Sequence, residues 1–508
     1  MGNKKHVYVA MLISFMAVVL NSFISLYLTP LITNSVGIEA YGFVSLAKSF
    51  TSYATIVMTA LNSYAARYMS VSYLRNEKGE YAKYFNTVLF GDIAIAGVIL
   101  LVGVFGIFRL EYILNIPASL IRDVKILFLL TFVTFYISTI TTAYAATAYV
   151  KDCLEVYNTS RVLSYIVEIG TLLFLFWLFD AKVWYVGIAT VAAASVVFYA
   201  SKKMTLKRIQ ELEISLRLFD MQSMKKLIVN GFWNSANSVG NALNSGLDLL
   251  ISNLMLSAVS MGQISIAKNI SGLIYTLYLT ISQPFQPNLI KKYSGGDKEE
   301  LIKELKYAMR VSGVITNTVF AGFCILGTSF YNLWIPNQNI VLVHSLTVIA
   351  MLPCISEGCV YPLYYIYTLT VKNKIPCIIT ILGGVSNVFG MYFLIKNTNL
   401  GAYSIVVTTA VVMNFINFVT NPLYMCHCLK ISKRTFYPNI FLNVLCCVVA
   451  ILTMKGIVLI YPIAKGWESF AVHVIVCGGI GLLAQMMIAF KPSDSKKLLT
   501  IIKTKSKK

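Results

Sequence analysis

The sequence predicts an all-α integral membrane protein. About fourteen transmembrane helices are expected, as two parallel six-helix repeats followed by two further helices. Three observations carry this. Of the 508 residues 57% are apolar and only 12% charged, with a mean hydropathy of +0.72, a balance foreign to water-soluble chains. Apolar runs long enough to cross a bilayer recur along the whole chain. A pattern in the first half returns 220 residues later.

Taken in order, the spans are expected near residues 8–32, 40–66, 84–108, 124–148, 161–179, 183–200, 228–256, 262–288, 308–331, 342–369, 375–395, 400–425, 439–461 and 469–490. Turn-forming residues punctuate the joints, as at Asn115-Ile116-Pro117, Gly295-Gly296-Asp297 and Ile335-Pro336-Asn337. The first span follows Lys4 and Lys5 and runs to about Leu31. That is too long for the apolar core of a signal peptide, so it is expected to be a retained membrane helix. Pro30, Pro284 and Pro287 are expected to kink spans one and eight.

The net charge of +21 raises the question of nucleic acid. Its placement answers it: the basic residues lie between apolar runs, and no nucleic-acid partner is expected. With the N-terminus inside, 33 of the 42 lysines and arginines fall in cytoplasmic segments. Both termini are therefore expected in the cytoplasm, with Gln210 and Lys497 inside and Asn337 outside. The ten cysteines form no staple pattern. The adjacent donors of Cys426-His427-Cys428 make a poor tetrahedral site, so no metal is expected.

The repeat is specific. Gly42-Phe43-Val44-Ser45-Leu46-Ala47-Lys48 matches Gly262-Gln263-Ile264-Ser265-Ile266-Ala267-Lys268. Tyr73, Glu77, Lys78, Glu80 and Lys83 match Tyr293, Asp297, Lys298, Glu300 and Lys303, while Asn21 and Ser25 match Asn241 and Ser245. Six spans separate the copies, so both keep one orientation. The expected organisation is a first bundle at 1–200, a basic cytoplasmic linker at 201–227, a second bundle at 228–425, an extra helix pair at 426–490 and a basic cytoplasmic tail at 491–508. The linker is expected to form an amphipathic helix on the membrane surface.

One span departs from the apolar norm. Asn230, Asn234, Asn237, Asn241, Asn244 and Asp248 recur at steps of four, three, four, three and four. On a regular helix they fall within roughly an 80° arc and extend roughly 27 Å. That nearly matches the ~30 Å hydrocarbon thickness. Lipid would leave such amides unsatisfied. A few would serve as interhelical glue, but six suit the wall of a polar conduit better.

Charges inside the membrane cost about 2.5–3.5 kcal/mol each on insertion scales, so each needs a reason. Lys48, Asp92, Glu168, Asp248, Lys268 and Glu357 fall inside spans. Asp92 and Glu168 lie where loop cations are expected to pair with them, a transport role being the alternative. Asp248 and Lys268 are equally far from a loop near residue 258 and form either an ion pair or part of a site. Glu357 lies between Pro353 and Pro362 and is a candidate for coupling proton flow, or else a neutral side chain bonded to a neighbouring helix. Lys48 and Lys268 are either snorkelling residues or a matched functional pair.

Two short segments carry a family resemblance. The run Leu31 to Phe43, LITNSVGIEAYGF, is an apolar helix end followed by a turn from Gly37 to Gly42. Leu400-Gly401-Ala402-Tyr403 opens span twelve. With the repeat architecture, they resemble the multidrug/oligosaccharidyl-lipid/polysaccharide exporter superfamily, and within it the Wzx-type flippases of O-antigen and capsule biosynthesis. The resemblance implies two six-helix bundles around a central cavity opening alternately to each side of the bacterial cytoplasmic membrane. It implies a non-enzymatic transporter without cofactors, coupled to a proton or sodium gradient. Its substrate would be an undecaprenyl-diphosphate-linked oligosaccharide, its partners the lipid bilayer, a polysaccharide polymerase and chain-length proteins. The extra helix pair would form a groove for the lipid tail. On this reading Asn21, Ser25, Asn234, Asn237, Asn241, Asn244 and Asp248 line the cavity, Lys48 and Lys268 receive the diphosphate, and Glu357 is the coupling candidate. A cation-coupled multidrug exporter of the same fold is the nearest alternative, though such a site favours acids. A membrane-embedded polysaccharide polymerase is the alternative from another class, and it would need a larger outer loop than this chain has.

Overall fold

The computed structural model describes residues 2–490 apart from 152, 211 and 371. The tail at 491–508 with Lys497, and the side chains of Lys4 and Lys5, lie outside the described residues. The spans form helices α1 (Gly2–Ser35), α2 (Ile38–Asn62), α3 (Lys78–Phe108), α4 (Ile121–Val150), α5 (Leu154–Leu178), α6 (Tyr185–Arg208) and α7 (221–255). They continue as α8 (Ala258–Ser282), α9 (Lys298–Trp334), α10 (Ile340–Thr370), α11 (Lys374–Asn397), α12 (Tyr403–Leu429), α13 (Tyr437–Ile460) and α14 (Trp467–Ala489). Among the described residues, eleven helices are long and apolar enough to cross a membrane by composition alone. Helices α1, α2 and α7 are not among these eleven, and α2 and α7 carry polar residues along their length.

Residues 1–265 and 266–508 each form a compact unit. In the first, α4 packs on α3 and α6, α5 on α1 and α6, and α2 on α4 and α7. Leu61, Phe85, Val88, Ala143, Tyr144 and Leu227 belong to its core. The seventh helix, which the repeat assigns to the second half, makes its packing contacts in this first unit. In the second unit α9 is the central pillar, packed by α10, α13 and α14, while α11 and α10 lie on α12.

The two repeat copies meet at corresponding positions. Ser265 Oγ donates to Ser45 Oγ at 2.5 Å. A Cβ on Gly42 would stand 3.0 Å from the Gly262 nitrogen, and one on Gly262 only 2.3 Å from the Ile38 carbonyl oxygen. Backbone cannot yield as a flexible side chain does, so only glycine fits. Gly262→Val is expected to lower the thermal midpoint of purified protein, since overpacking costs about 1–3 kcal/mol. An unchanged midpoint would mean that the α2–α8 crossing is loose.

The linker corrects an expectation. No interfacial helix forms among its described residues: α6 simply continues to Arg208, and α7 starts at Met221. Side chains of α3 tie the intervening segment down instead. Asn86 donates to the Glu213 carbonyl and accepts from the Ser215 amide, and Thr87 accepts from the Asp220 amide. Backbone groups engaged in this way are not free to close helical turns.

Pro30 lies inside the unbroken helix α1, whereas later prolines interrupt their helices. Pro284 lies in a 3₁₀ turn, Gln283–Phe285, at the end of α8. Pro353 starts the middle segment of α10, and Pro362 lies in the 3₁₀ turn Tyr361–Tyr364. The extra pair α13–α14 docks on α9 by polar contacts. Asn317 donates to Asn443 at 2.9 Å, and Gln485 donates to Thr318 Oγ1 at 2.8 Å.

Candidate functional site

Helix α7 starts at a capped end, where Asp220 Oδ2 accepts from the Ser223 amide at 2.8 Å. It is not regular throughout. A π-helical turn, Ala242–Gly246, interrupts it inside the asparagine stripe. Such a turn holds about one residue more than an α turn and rotates the later part of the helix by roughly 100°. The stripe therefore splits. Asn230, Asn234, Asn237 and Asn241 are exposed, whereas Asn244 and Asp248 are each 3% exposed. Asn244 donates to its own helix at the Gly240 carbonyl.

Helix α2 lies along α7 through close backbone contacts. A Cβ on Gly231 would stand 2.0 Å from the Ala60 carbonyl oxygen. Ser235 Oγ donates to the Ile56 carbonyl at 2.7 Å, and Tyr53 donates to the Gly246 carbonyl at 2.5 Å. Near the start of α7 Asn230 donates to the Tyr68 hydroxyl.

The structure adds a second stripe. Lys48, Ser52, Thr55 and Thr59 succeed one another on α2 at steps of four, three and four, the same spacing as the asparagines. That spacing stood in the sequence, hidden because single hydroxyls in an apolar helix read as interhelical glue. Each hydroxyl donates to the carbonyl one turn back: Ser52 to Lys48, Thr55 to Thr51 and Thr59 to Thr55. Their lone pairs remain open to a ligand's donors.

Two cavities adjoin α2, both in the first unit. One of about 390 Å³ lies between α2 and α7, with Ser52, Thr55, Thr59, Ser238, Asn241 and Ser245 in its lining. The other, of about 230 Å³, lies among α2, α4 and α6. Lys48 enters it beside Thr51, Thr131, Thr134, Ser138 and Thr190. Thr55 lines both. Accepting hydroxyls, an amide that both donates and accepts, and one ammonium suit a ligand rich in hydroxyls with an anionic part.

The other candidate residues are not among those that line these cavities. Asn21 is exposed on α1, and the Ser25 carbonyl accepts from Thr29 Oγ1 at 2.9 Å. Lys268 is half-buried on α8, and Glu168 half-buried on α5. Asp92 is fully buried, and the expected loop cation is not its partner: Asn62 donates to it at 2.9 Å. The loop cations are engaged elsewhere, as Lys83 with Asp220 at 3.4 Å. In the second unit Glu357 heads a polar network. Tyr278 donates to its Oε2 and Asn417 to its Oε1. Tyr364, Asn421 and Tyr367 extend the chain of hydrogen bonds along α10 and α12. Among the described residues no group of three His, Cys, Asp or Glu is placed to hold a metal ion.

Comparison with known proteins agrees with this architecture. A family profile described as polysaccharide biosynthesis protein matches residues 10–287, more than half of the chain. EpsK of Bacillus subtilis (strain 168), described as an uncharacterized membrane protein, is 27% identical over 489 residues, covering 96% of this chain and 97% of its own. Among solved structures, the lipid II flippase MurJ in an inward closed conformation superposes with a TM-score of 0.69 at 15% identity, over 94% of this chain and 98% of MurJ. An inward-facing multidrug resistance MATE family transporter of the MOP superfamily gives 0.65 at 14% identity, over 84% of this chain and 99% of its own. At these identities the likeness is one of fold.

Proposed function

The chain belongs to the polysaccharide biosynthesis protein family, and from that premise we propose that it is a flippase of lipid-linked oligosaccharide. It moves an undecaprenyl-diphosphate-linked repeat unit across the bacterial cytoplasmic membrane by alternating access, with both termini in the cytoplasm. It makes and breaks no covalent bond. The observation that carries this reading is the polar wall of α2 and α7, where hydroxyls and Asn241 line one cavity and Lys48 enters its neighbour. Sugar hydroxyls donate to the serines and threonines and exchange both kinds of bond with the amide. The exposed asparagines at 230, 234 and 237 continue the wall along α7.

A carrier of cationic drugs would be expected to place an acid in the cavity. Neither lining contains one, and one contains a lysine. Lys48 and its repeat counterpart Lys268 are the proposed diphosphate contacts, a role that suits a compact cation on a flexible stem. Deleting the gene is expected to leave the lipid-linked oligosaccharide on the cytoplasmic leaflet, and the intact gene to restore its transfer. Unchanged distribution between the leaflets would overturn the reading.

Glu357 is the proposed coupling residue in the second unit. Its carboxyl has a donor at each oxygen, so it is held in place whether or not it carries a proton. Glu357→Gln keeps the shape but removes the titration. Transport driven by an imposed ion gradient is expected to fall about tenfold with protein level unchanged, equivalent to a barrier roughly 1.4 kcal/mol higher. Equal gradient dependence in the variant would remove Glu357 from the coupling.

A further inference from the structure

We propose that Asp92 and Asn62 form a proton-binding site inside the first unit, with the proton held by Asp92 and shared with the Asn62 carbonyl. Asp92 lies in α3 and is 0% exposed, and Asn62 is the last residue of α2. Asn62 Nδ2 donates to Asp92 Oδ1 at 2.9 Å. The other oxygen of each side chain, Asp92 Oδ2 and Asn62 Oδ1, is buried and finds no donor. An ionised Asp92 would leave a negative charge and two bare acceptors in the interior with one amide proton between them. Each of those deficits is costly. A proton on Asp92 Oδ2 would cancel the charge and occupy one bare oxygen, and in a carboxylic acid paired with a carboxamide through the Nδ2–Oδ1 bond the acid's hydroxyl can donate to the amide oxygen.

No other group takes the proton's place. Lys83 and Tyr84 stand nine and eight residues back along α3, about 12–14 Å away at the helical rise. Lys83 is paired with Asp220, and Tyr84 accepts from Lys226 of α7. The packed elements carry further titratable groups: Tyr53 on α2, Tyr81 on α3 itself, Arg67, Tyr68 and Tyr73 on Ala65–Leu74, Tyr136 and Tyr144 on α4, Arg217 on Leu216–Leu218 and Lys225 on α7. Among the described residues none of them bonds to Asp92. A hard metal cation would need six or more oxygens, and the pair has two free ones. Glu357 offers the contrast, since each of its oxygens already meets a donor.

The site sits at a mechanical joint. Two residues before Asn62, the Ala60 carbonyl is pressed against Gly231 of α7, and Leu61 packs over Gly91 beside Asp92. Loss of the proton would leave a bare buried carboxylate, and the end of α2 must then move off α3 to admit water. Occupancy by the proton therefore holds α2 on α3.

Two readouts on the full chain test this, neither of which uses substrate, so they stand apart from the flippase reading. The first is the infrared spectrum of the protein in lipid nanodiscs at neutral pH. Asp92→Asn is expected to lose the carbonyl band of a protonated carboxylic acid, and Asn62→Ala to shift it. Loss of carboxylate bands instead, or a band that changes when sodium replaces choline, would overturn the proposal. The second reads opening directly. In a chain whose ten native cysteines are replaced, Leu61→Cys is labelled by a water-soluble thiol reagent. Its rate, relative to the same cysteine in Asp92→Asn, is expected to rise about tenfold per pH unit, the slope of one-proton linkage. A ratio independent of pH would overturn the proposal even if Asp92→Asn lowers the yield of protein.

Discussion

Replacing Lys48 and Lys268 together by glutamine is expected to abolish transport while leaving protein in the membrane at its normal level. Lys48 is exposed and enters a cavity otherwise lined by hydroxyls and apolar groups. Lys268 comes after Ser265 on α8 as Lys48 comes after Ser45 on α2, and the two serines touch. A hydrogen bond to a charged group contributes roughly 1.5–3 kcal/mol, so each lysine lost should cost about 10- to 150-fold in transport. Arginine at both positions keeps the charge and should retain much of the activity. A snorkelling lysine behaves otherwise: its ammonium only seeks the headgroups, and glutamine there should be silent. Complementation by the double glutamine variant at the wild-type rate would assign both residues to snorkelling.

The second large effect is expected at Asn241. It is exposed on α7 and lines the larger cavity. Asn241→Leu adds no polar burden in a membrane helix, so insertion and yield should be unchanged. A sugar hydroxyl left without its partner costs about 1–3 kcal/mol, or roughly 5- to 150-fold in transport. The buried half of the stripe should respond differently. Asn244→Leu breaks a bond to the Gly240 carbonyl at the start of the π turn, so reduced yield should precede any loss of rate. If Asn241→Leu transports normally, the asparagines are packing groups and the wall lies elsewhere.

Much of the fold was legible because a bilayer leaves little choice of structure. Apolar length gave the helices, and the return of Gly42 to Lys48 at Gly262 to Lys268 gave the repeat. What was not legible depended on tertiary neighbours. The linker read as an amphipathic helix from its mixed charges, but the Asn86 side chain engages its backbone. The stripe read as continuous because regular rotation was assumed, and the π turn between Asn241 and Leu247 broke it. Asp92 read as the partner of a loop cation, since sequence distance cannot place Asn62 beside it. The hydroxyl stripe of α2 was legible in spacing alone, but its meaning came from lying against α7.

On the proposed function, the polar wall of α2 and α7 carries an anionic, sugar-bearing lipid across the membrane. Reconstitution in liposomes tests it most directly, with undecaprenyl-diphosphate oligosaccharide in one leaflet and transfer read by access of an external sugar-modifying enzyme. Transfer is expected from the wild-type chain, with its loss in the double Lys48→Gln, Lys268→Gln variant and no competition from small cationic drugs. Transfer that survives the double variant, or uptake of a cationic drug in place of the lipid, would contradict it.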